Sequence, residues 1–228
     1  MKKPRFLSLA FLTVIAVAAQ TPTPVPVREE PRHKVMFEND FIRMIDVHVA
    51  PGETTLVHVH VIPSVVVNLS NTMILSQELG RPPAQPRRVA VGDTRYAPYD
   101  EVSLTHSVMN QSADVFHVLD IELLRPKSTE AWGPVAAQPK LKLAREQKLV
   151  RVYKLHADAG SPVEIPASPR AWLLIDVSGT VRAFPAIGKT GTVCQLETGE
   201  YGFTPPGAGF QVRAMTATGA ECILLELR

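Results

Sequence analysis

Two histidines separated by one residue are the first feature of this sequence that could do chemistry. His58 and His60 alternate with valines in the run from Thr55 to Ile62. This alternation is typical of a β-strand, in which side chains two residues apart project from the same face. Two imidazoles held side by side form half of a metal site, and imidazole suits zinc, copper, iron and nickel. Two histidines that only pack in a core or on a surface would show the same pattern.

Further polar residues follow, at positions where they could serve the same site. Tyr96, Tyr99 and Asp100 lie in a predicted loop, where they either contact a substrate or are simply solvated. His117 alternates with apolar neighbours in a later predicted strand and could face a pocket as an extra ligand. Asp120 shares a face of that strand with Glu122, and two nearby carboxylates could act as an acid/base pair.

The segments that must position these residues are short runs rich in Val, Ile and Leu, bounded by Gly, Pro, Asn and Asp. Many short strands at regular spacing favour an all-β sandwich or barrel. Twenty prolines against 13 glycines argue against long helices, and 141–150 is the one short helix we predict. The hydrophobic fraction of 45% is that of a globular protein. A net charge of +2 gives no reason to expect a nucleic-acid partner.

The chain repeats itself. When the sequence is aligned with itself at an offset of 108 residues, the run beginning at Ile42 matches the run beginning at Val150. The offset decreases further along the chain, to the one at which Glu122 matches Glu226. Because the order is kept, we predict two related modules, at 34–125 and 148–228, joined by a connecting segment at 126–147. His48 and His156 occupy equivalent positions in the repeat, so a structural role is favoured for both.

The N-terminus has the pattern of an export signal. Basic residues within 1–5 precede an apolar run and small residues at 16–19, which predicts a signal peptide at 1–19 and a periplasmic or secreted protein. The apolar run is too short for a stable membrane anchor, although an uncleaved anchor is the alternative. A proline-rich lead-in at 20–33 follows. An oxidising compartment would permit a disulfide between Cys194 and Cys222, the only two cysteines; whether they pair is left open.

Glycines and prolines at fixed distances accompany the histidines in both halves. The first half contains two such series: Gly52, His58, His60, Ser64 and Asn71, then Gly92, Pro98, Asp100, His106 and Asn110. They resemble the two motifs of the cupin superfamily, Gly-x5-His-x-His-x3-Glu-x6-Gly and Gly-x5-Pro-x-Gly-x2-His-x3-Asn, with three extra residues before His106. The second half keeps the skeleton as Gly160, Pro166, Ser168, Trp172 and Gly179, then Gly199, Pro205, Gly207 and Phe210. The resemblance therefore implies a bicupin, with two tandem double-stranded β-helix (jelly-roll) barrels.

The resemblance also implies a ligand set: His58, His60 and His106 on one divalent metal, which could be Fe, Mn, Zn or Ni. Ser64 replaces the glutamate ligand of the family motif. Three-histidine sites occur among cupin dioxygenases, so a dioxygenase-like enzyme for a small, anionic substrate is implied. The second module carries Pro166, Ser168 and Phe210 at the histidine positions, so we expect no metal there and a structural role. Around the first site we expect a substrate pocket drawn from Ser64, Tyr96, Tyr99, Asp100, Asn110, His117 and Asp120.

Other functions fit the same residues. The protein could be a non-catalytic module that binds a small molecule or a sugar, with or without a metal. A sugar isomerase or epimerase is a third possibility, although no His-Asp or His-Tyr pair can be assigned from the sequence. A homo-oligomer is compatible with all three.

Overall fold

The computed structural model describes residues 23–125, 131–135, 139–184 and 194–228. The predicted signal peptide at 1–19 lies outside the described residues, as does part of the connecting segment. The described part of the chain is built almost wholly from strands, with one short 3-10 helix at Val27–Glu29. In this part of the protein no helix has the length and apolar character needed to cross a membrane.

The first module consists of two five-stranded sheets. Sheet A has the order β1-β4-β9-β6-β7 and sheet B the order β2-β3-β10-β5-β8. The strands are β1 (Val25–Pro26), β2 (His33–Glu38), β3 (Ile42–Val49), β4 (His58–His60), β5 (Ser64–Asn68), β6 (Thr72–Glu78), β7 (Arg87–Val89), β8 (Thr94–Ala97), β9 (Leu104–Asn110) and β10 (Phe116–Leu123).

The second module repeats this plan. Sheet C has the order β11-β12-β19-β14-β17 and matches sheet B, while sheet D has the order β13-β18-β15-β16 and matches sheet A without its first strand. The strands are β11 (Leu141–Glu146), β12 (Val150–Ala157), β13 (Val163–Ile165), β14 (Ala171–Ser178), β15 (Thr180–Phe184), β16 (Cys194–Glu197), β17 (Tyr201–Thr204), β18 (Phe210–Ala214) and β19 (Ala220–Leu227). The prediction of two all-β barrels in tandem is confirmed.

Two sequence-based expectations need correction. Residues 141–146 form strand β11, not the start of a helix, because they pair antiparallel with β12 and occupy the repeat position of β2. The proline-rich segment is not a separate lead-in: β1 pairs in parallel with β4, with Val25 opposite His58. Residues 25–33 are therefore part of the first module.

The two barrels pack back to back through sheets B and C. Alternate residues of their strands point away from each barrel interior and form one shared apolar cluster, in which Ile42, Met44 and Ile121 of the first module meet Leu173 and Leu225 of the second. The opposite face of each sheet lines its own barrel. Because side chains alternate along a strand, a residue in sheet B faces either the barrel interior or the other module.

Candidate metal centre

Three histidines meet inside the first barrel. His58 and His60 come from β4 and His106 from the neighbouring strand β9, where it lies directly opposite His58 in the ladder. Their exposures are 1%, 6% and 7%. One donor atom from each ring lies within 4.8 Å of the other two. The rigid pairing of the two strands thus brings together the three residues that the sequence singled out.

In each ring one nitrogen is engaged by the protein and the other is left for the centre of the group. The Nδ1 atom of His58 donates to the carbonyl oxygen of Leu56 (2.9 Å), and Nδ1 of His106 is hydrogen-bonded to Ser76 Oγ (2.8 Å). The Nδ1 atom of His60 lies 3.3 Å from a carboxylate oxygen of Asp120. The Nε2 atoms of His60 and His106 face each other at 3.2 Å. Partners of this kind fix the ring orientation and the tautomer of metal-bound histidines.

Burial keeps two of these rings neutral. Loss of water lowers the pKa of His58 to about 4, and the same effect, with the neighbouring histidines, lowers the pKa of His106 to about 2. Burial alone would raise the pKa of Asp120, but the hydrogen bond and charge of His60 outweigh it, so the pKa of Asp120 is lowered. Neutral imidazole is the form that binds metal, so no proton has to leave His58 or His106 at neutral pH.

The histidines line a cavity of about 350 Å³, within the range of small-molecule pockets. The wall is largely apolar: Val47, Val49, Val66, Ile74, Leu104, Val108, Phe116 and Val118. Its polar lining includes two arginines, Arg87 from β7 and Arg95 from β8. The two guanidinium groups are close enough that the charge of Arg95 contributes, after burial, to the lowered pKa of Arg87. The cavity therefore combines a largely apolar lining with two cationic side chains.

An N-terminal pair that the sequence analysis missed also reaches this cavity. Glu30 is buried and accepts hydrogen bonds from the backbone N–H groups of Arg32 and Leu56, while its Oε2 lies 2.6 Å from His33 Nδ1. Burial would raise the pKa of Glu30, but these hydrogen bonds bring it down to about 2. His33 lines the cavity and its ring centroid is 4.7 Å from that of His58. The pairing of β1 with β4 and the pairing of His33 with Val47 in sheet B together bring this segment to the site, and no motif in the sequence predicts it.

Comparisons with known proteins identify the architecture. No family model and no curated protein matches the sequence. Among solved structures, AerE from Microcystis aeruginosa is 12% identical, with a TM-score of 0.62 over 91% of this chain and 98% of that one. Salicylate 1,2-dioxygenase from Pseudoaminobacter salicylatoxidans, in adducts with gentisate, is also 12% identical, with a TM-score of 0.61 over 89% and 75%. A cupin 2 conserved barrel domain protein from Leptotrichia buccalis is 11% identical, with a TM-score of 0.54 over 86% and 88%.

The chain has the cupin fold. In the first cupin module the remaining candidate pocket residues divide into two groups. Tyr99 is buried with its ring centroid 4.8 Å from that of His60, and its hydroxyl accepts a hydrogen bond from Arg95. Ser64 is fully buried and its hydroxyl contributes to the lowered pKa of Asp120. Tyr99 thus packs against a histidine ring and Ser64 lies beside Asp120, and neither residue lines the cavity itself.

The other candidates lie away from the cavity. Tyr96 packs against the cluster between the two cupin modules, and Asp100 is exposed in a turn. His117 is also on the outer face of sheet B, so it does not line the pocket as the sequence suggested; Phe116 and Val118, on either side of it, do. Asn110 is buried and holds a loop: its Nδ2 donates to the carbonyl oxygens of Val49 and Asp114. The sequence predicted which strands carry these residues but not which face each one takes.

The second cupin module fills the equivalent space with side chains. Trp172 and Phe210, which replace Ser64 and His106 in the repeat, are both in its buried core. Ile165 pairs with Phe210 as His58 pairs with His106, so the ladder puts an isoleucine at that histidine position. Ser168, which the sequence motif aligns with His60, lies beyond the end of this strand and donates to Glu226. Cys194 and Cys222 are both free and buried in this core, so the candidate disulfide is not formed in the structure.

Proposed function

We propose that this protein is an exported bicupin that binds one divalent metal through His58, His60 and His106 and acts on a small, anionic substrate, as a dioxygenase-like metalloenzyme. The observation that carries the proposal is the arrangement of three buried imidazoles, in which Nδ1 of His58 and of His106 is hydrogen-bonded by the protein and Nδ1 of His60 faces the Asp120 carboxylate. This leaves the Nε2 atoms as the donor set.

The donor set fits a metal ion. Histidine nitrogens bind zinc at about 2.0–2.1 Å, so two nitrogens on one tetrahedral ion lie roughly 3.3 Å apart. The 3.2 Å between Nε2 of His60 and Nε2 of His106 is of this size. When bound, a metal would supply Lewis-acid polarisation and, if redox-active, a place for oxygen. Because the three ligands are neutral, the full charge of the ion would remain to attract an anion.

The cavity supports a small organic anion as substrate. Arg87 and Arg95 both line it, and guanidinium groups bind carboxylates through charge-assisted, bidentate hydrogen bonds. The apolar residues that make up most of the lining would contact a hydrocarbon body. The likeness in fold to a salicylate dioxygenase solved with gentisate is in keeping with such a ligand.

His33 is placed to accept or hold a proton beside that ligand. Its Nδ1 is bound to the buried Glu30, so Nε2 remains for a group in the cavity. A carboxylate behind a histidine fixes which ring nitrogen carries the proton, and so which nitrogen faces the cavity. Glu30 therefore acts as a positioning residue for His33.

The first experiment measures bound metal. His58→Ala and His106→Ala, prepared separately, should each lose one equivalent of metal at neutral pH, while His156→Ala on the second module should lose none. If both variants keep the wild-type stoichiometry, the three-histidine site is wrong.

The second experiment separates catalysis from binding. Protein loaded anaerobically with Fe(II) is screened for oxygen uptake with a panel of small carboxylates and their amides. Uptake that depends on a carboxylate and is lost in His106→Ala supports a dioxygenase. Tight binding of carboxylates without oxygen uptake by the Fe(II) form would instead assign a binding module.

Export is supported by the basic, apolar and small-residue series in residues 1–19. N-terminal sequencing of the mature protein from its native host should begin near residue 20. A mature chain that begins at Met1 would overturn this part of the proposal.

A further inference from the structure

A second group of metal-ligating side chains lies on the other face of sheet B. Asp46 and His48 project from β3, and His117 projects from β10, on the face that Met44 and Leu119 use to meet the second module. One donor atom from each of the three residues lies within 4.8 Å of the other two. Since neighbouring residues of a strand point to opposite faces, this group is separated from the histidine cavity by the thickness of the sheet.

The distances suit one shared ion. Nε2 of His117 lies 2.8 Å from Oδ1 of Asp46, and Nδ1 of His48 lies 3.6 Å from the same oxygen. Ligand atoms of a tetrahedral ion with bonds of about 2.0–2.1 Å are roughly 3.3 Å apart, so the two observed distances lie on either side of that value. The His48 side chain is 52% exposed, so it can rotate to complete the geometry.

The backbone holds the two imidazoles together without a ligand. His48 and His117 are directly opposite each other in the antiparallel ladder of β3 and β10, and their rings stack at 4.0 Å. The second module packs against one side of this group. Its Gly199 lies so close to His117 that a Cβ atom added there would be 3.5 Å from His117 Cε1. Lys34 lies opposite Asp46 on β2 and is exposed, so its charged end is free to turn to solvent.

The equivalent positions of the second module carry a different set of side chains. The repeat places Lys154, His156 and Glu221 at the positions of Asp46, His48 and His117, with His156 again opposite Glu221 in the ladder. Nδ1 of His156 lies 2.6 Å from Glu221, and Nε2 lies 3.1 Å from Asp158. Carboxylates therefore occupy both ring nitrogens, and a lysine stands where the first module has its aspartate. The His-His-Asp group is a property of the first module and not a consequence of the fold.

We propose that Asp46, His48 and His117 bind a second divalent transition-metal ion, of the zinc class, at the interface between the two modules. Two imidazoles and one carboxylate are a donor set that such ions accept, with a water in the remaining position. The ion would join β3 to β10 where the second module meets them. It would therefore stabilise the folded state, because the unfolded chain does not hold the three donors together.

The test uses the full chain and zinc alone as the probe. In the His58→Ala/His106→Ala background, calorimetric titration should still show one equivalent of Zn²⁺. Adding Asp46→Lys, which installs the second module's residue, should weaken that binding at least tenfold, as should His48→Ala. Adding His156→Ala should change nothing.

A parallel measurement in the otherwise wild-type protein covers the case in which the double variant fails to fold. There, Asp46→Lys should lower zinc stoichiometry from two to one and remove part of the rise in Tm that zinc causes. Zinc binding that is unaffected by both Asp46→Lys and His48→Ala would overturn the inference. A failure of the three-histidine site alone would not overturn the inference. Binding at Asp46, His48 and His117 is measured separately, in the His58→Ala/His106→Ala background.

Discussion

Asp120 stands directly behind His60. One carboxylate oxygen lies 3.3 Å from Nδ1 of His60, whose Nε2 faces His106 at 3.2 Å, and both partners are almost fully buried. Within the described residues, neither the Nδ1 atom of His60 nor either carboxylate oxygen has a partner in full hydrogen-bond geometry, so their 3.3 Å contact is one between charged or polar groups that are otherwise unsatisfied. The repeat equivalent of Asp120 is Leu224, in the core of the module that lacks the histidines. The carboxylate therefore occurs only where there are histidines to support.

Asp120→Asn should weaken metal binding at the three-histidine centre. A carboxylate behind a metal-bound histidine fixes the ring and raises its basicity, and its loss typically costs about 10–100-fold in affinity. Competition with a chelator at neutral pH measures the effect. Glu122→Gln is the matched control, because Glu122 is on the same face of β10 but pairs with Arg43. An Asp120→Asn affinity within twofold of wild type would show that the pair does not support the ligand.

Arg87→Gln should weaken the binding of small carboxylates. A charge-assisted hydrogen bond is worth about 1.5–3 kcal/mol, so we expect roughly a tenfold loss or more. Binding of benzoate is compared with that of benzamide, since only the anion should respond. The control is Arg88→Gln: Arg88 is adjacent on β7 but does not line the cavity. Equal losses for benzoate and benzamide would mean that the arginine acts on packing and not on charge.

Trp172→Ala should destabilise the protein without affecting the metal. Trp172 is 1% exposed and belongs to the core of the second module, and truncation of such a residue costs about 3–5 kcal/mol. Urea unfolding measures the loss, and metal content of the folded fraction should stay at the wild-type value. Val102→Ala, at an exposed position, should change the unfolding free energy by less than about 0.5 kcal/mol. A marked loss of metal in folded Trp172→Ala would argue against a purely structural role for this residue.

Asp176→Asn should become increasingly stabilising as the pH rises. Burial raises the pKa of Asp176 to about 6 from an ordinary value of 3.8, so between these values the folded state binds more protons than the unfolded state. By linkage, wild-type stability then falls as the pH rises from about 4 to 6, and the variant escapes this loss. Module one already has Asn68 at the equivalent position, where its Nδ2 donates to the carbonyl oxygen of Asp93. The free energies of unfolding of the variant and the wild type are compared by urea unfolding at pH 4 and pH 7. If their difference is the same at both pH values, the raised pKa of Asp176 is refuted.

Some of the candidate site could be predicted because it is local in sequence. The alternation around His58 and His60 sets which residues share a face, and matching glycine and proline spacings in two halves predicted the paired barrels. The helix predicted at 141–150 was wrong because a short run with leucines at 141 and 143 is equally compatible with a strand, and the long-range pairing of β11 with β12 decides between them.

What the sequence by itself determined is therefore the strand pattern, the repeat and the types of side chain available for chemistry. Only the tertiary structure decided which face of a sheet lines a cavity and which face forms the interface between the two modules. Side chains alternate along a strand with a period of two. This alternation does not tell which of the two faces of the sheet lines the inside of a barrel. For the same reason His117 lies at the interface between the modules and not in the pocket. Glu30 and His33 reach the site because β1 pairs with β4, about thirty residues away, and β2 pairs with β3.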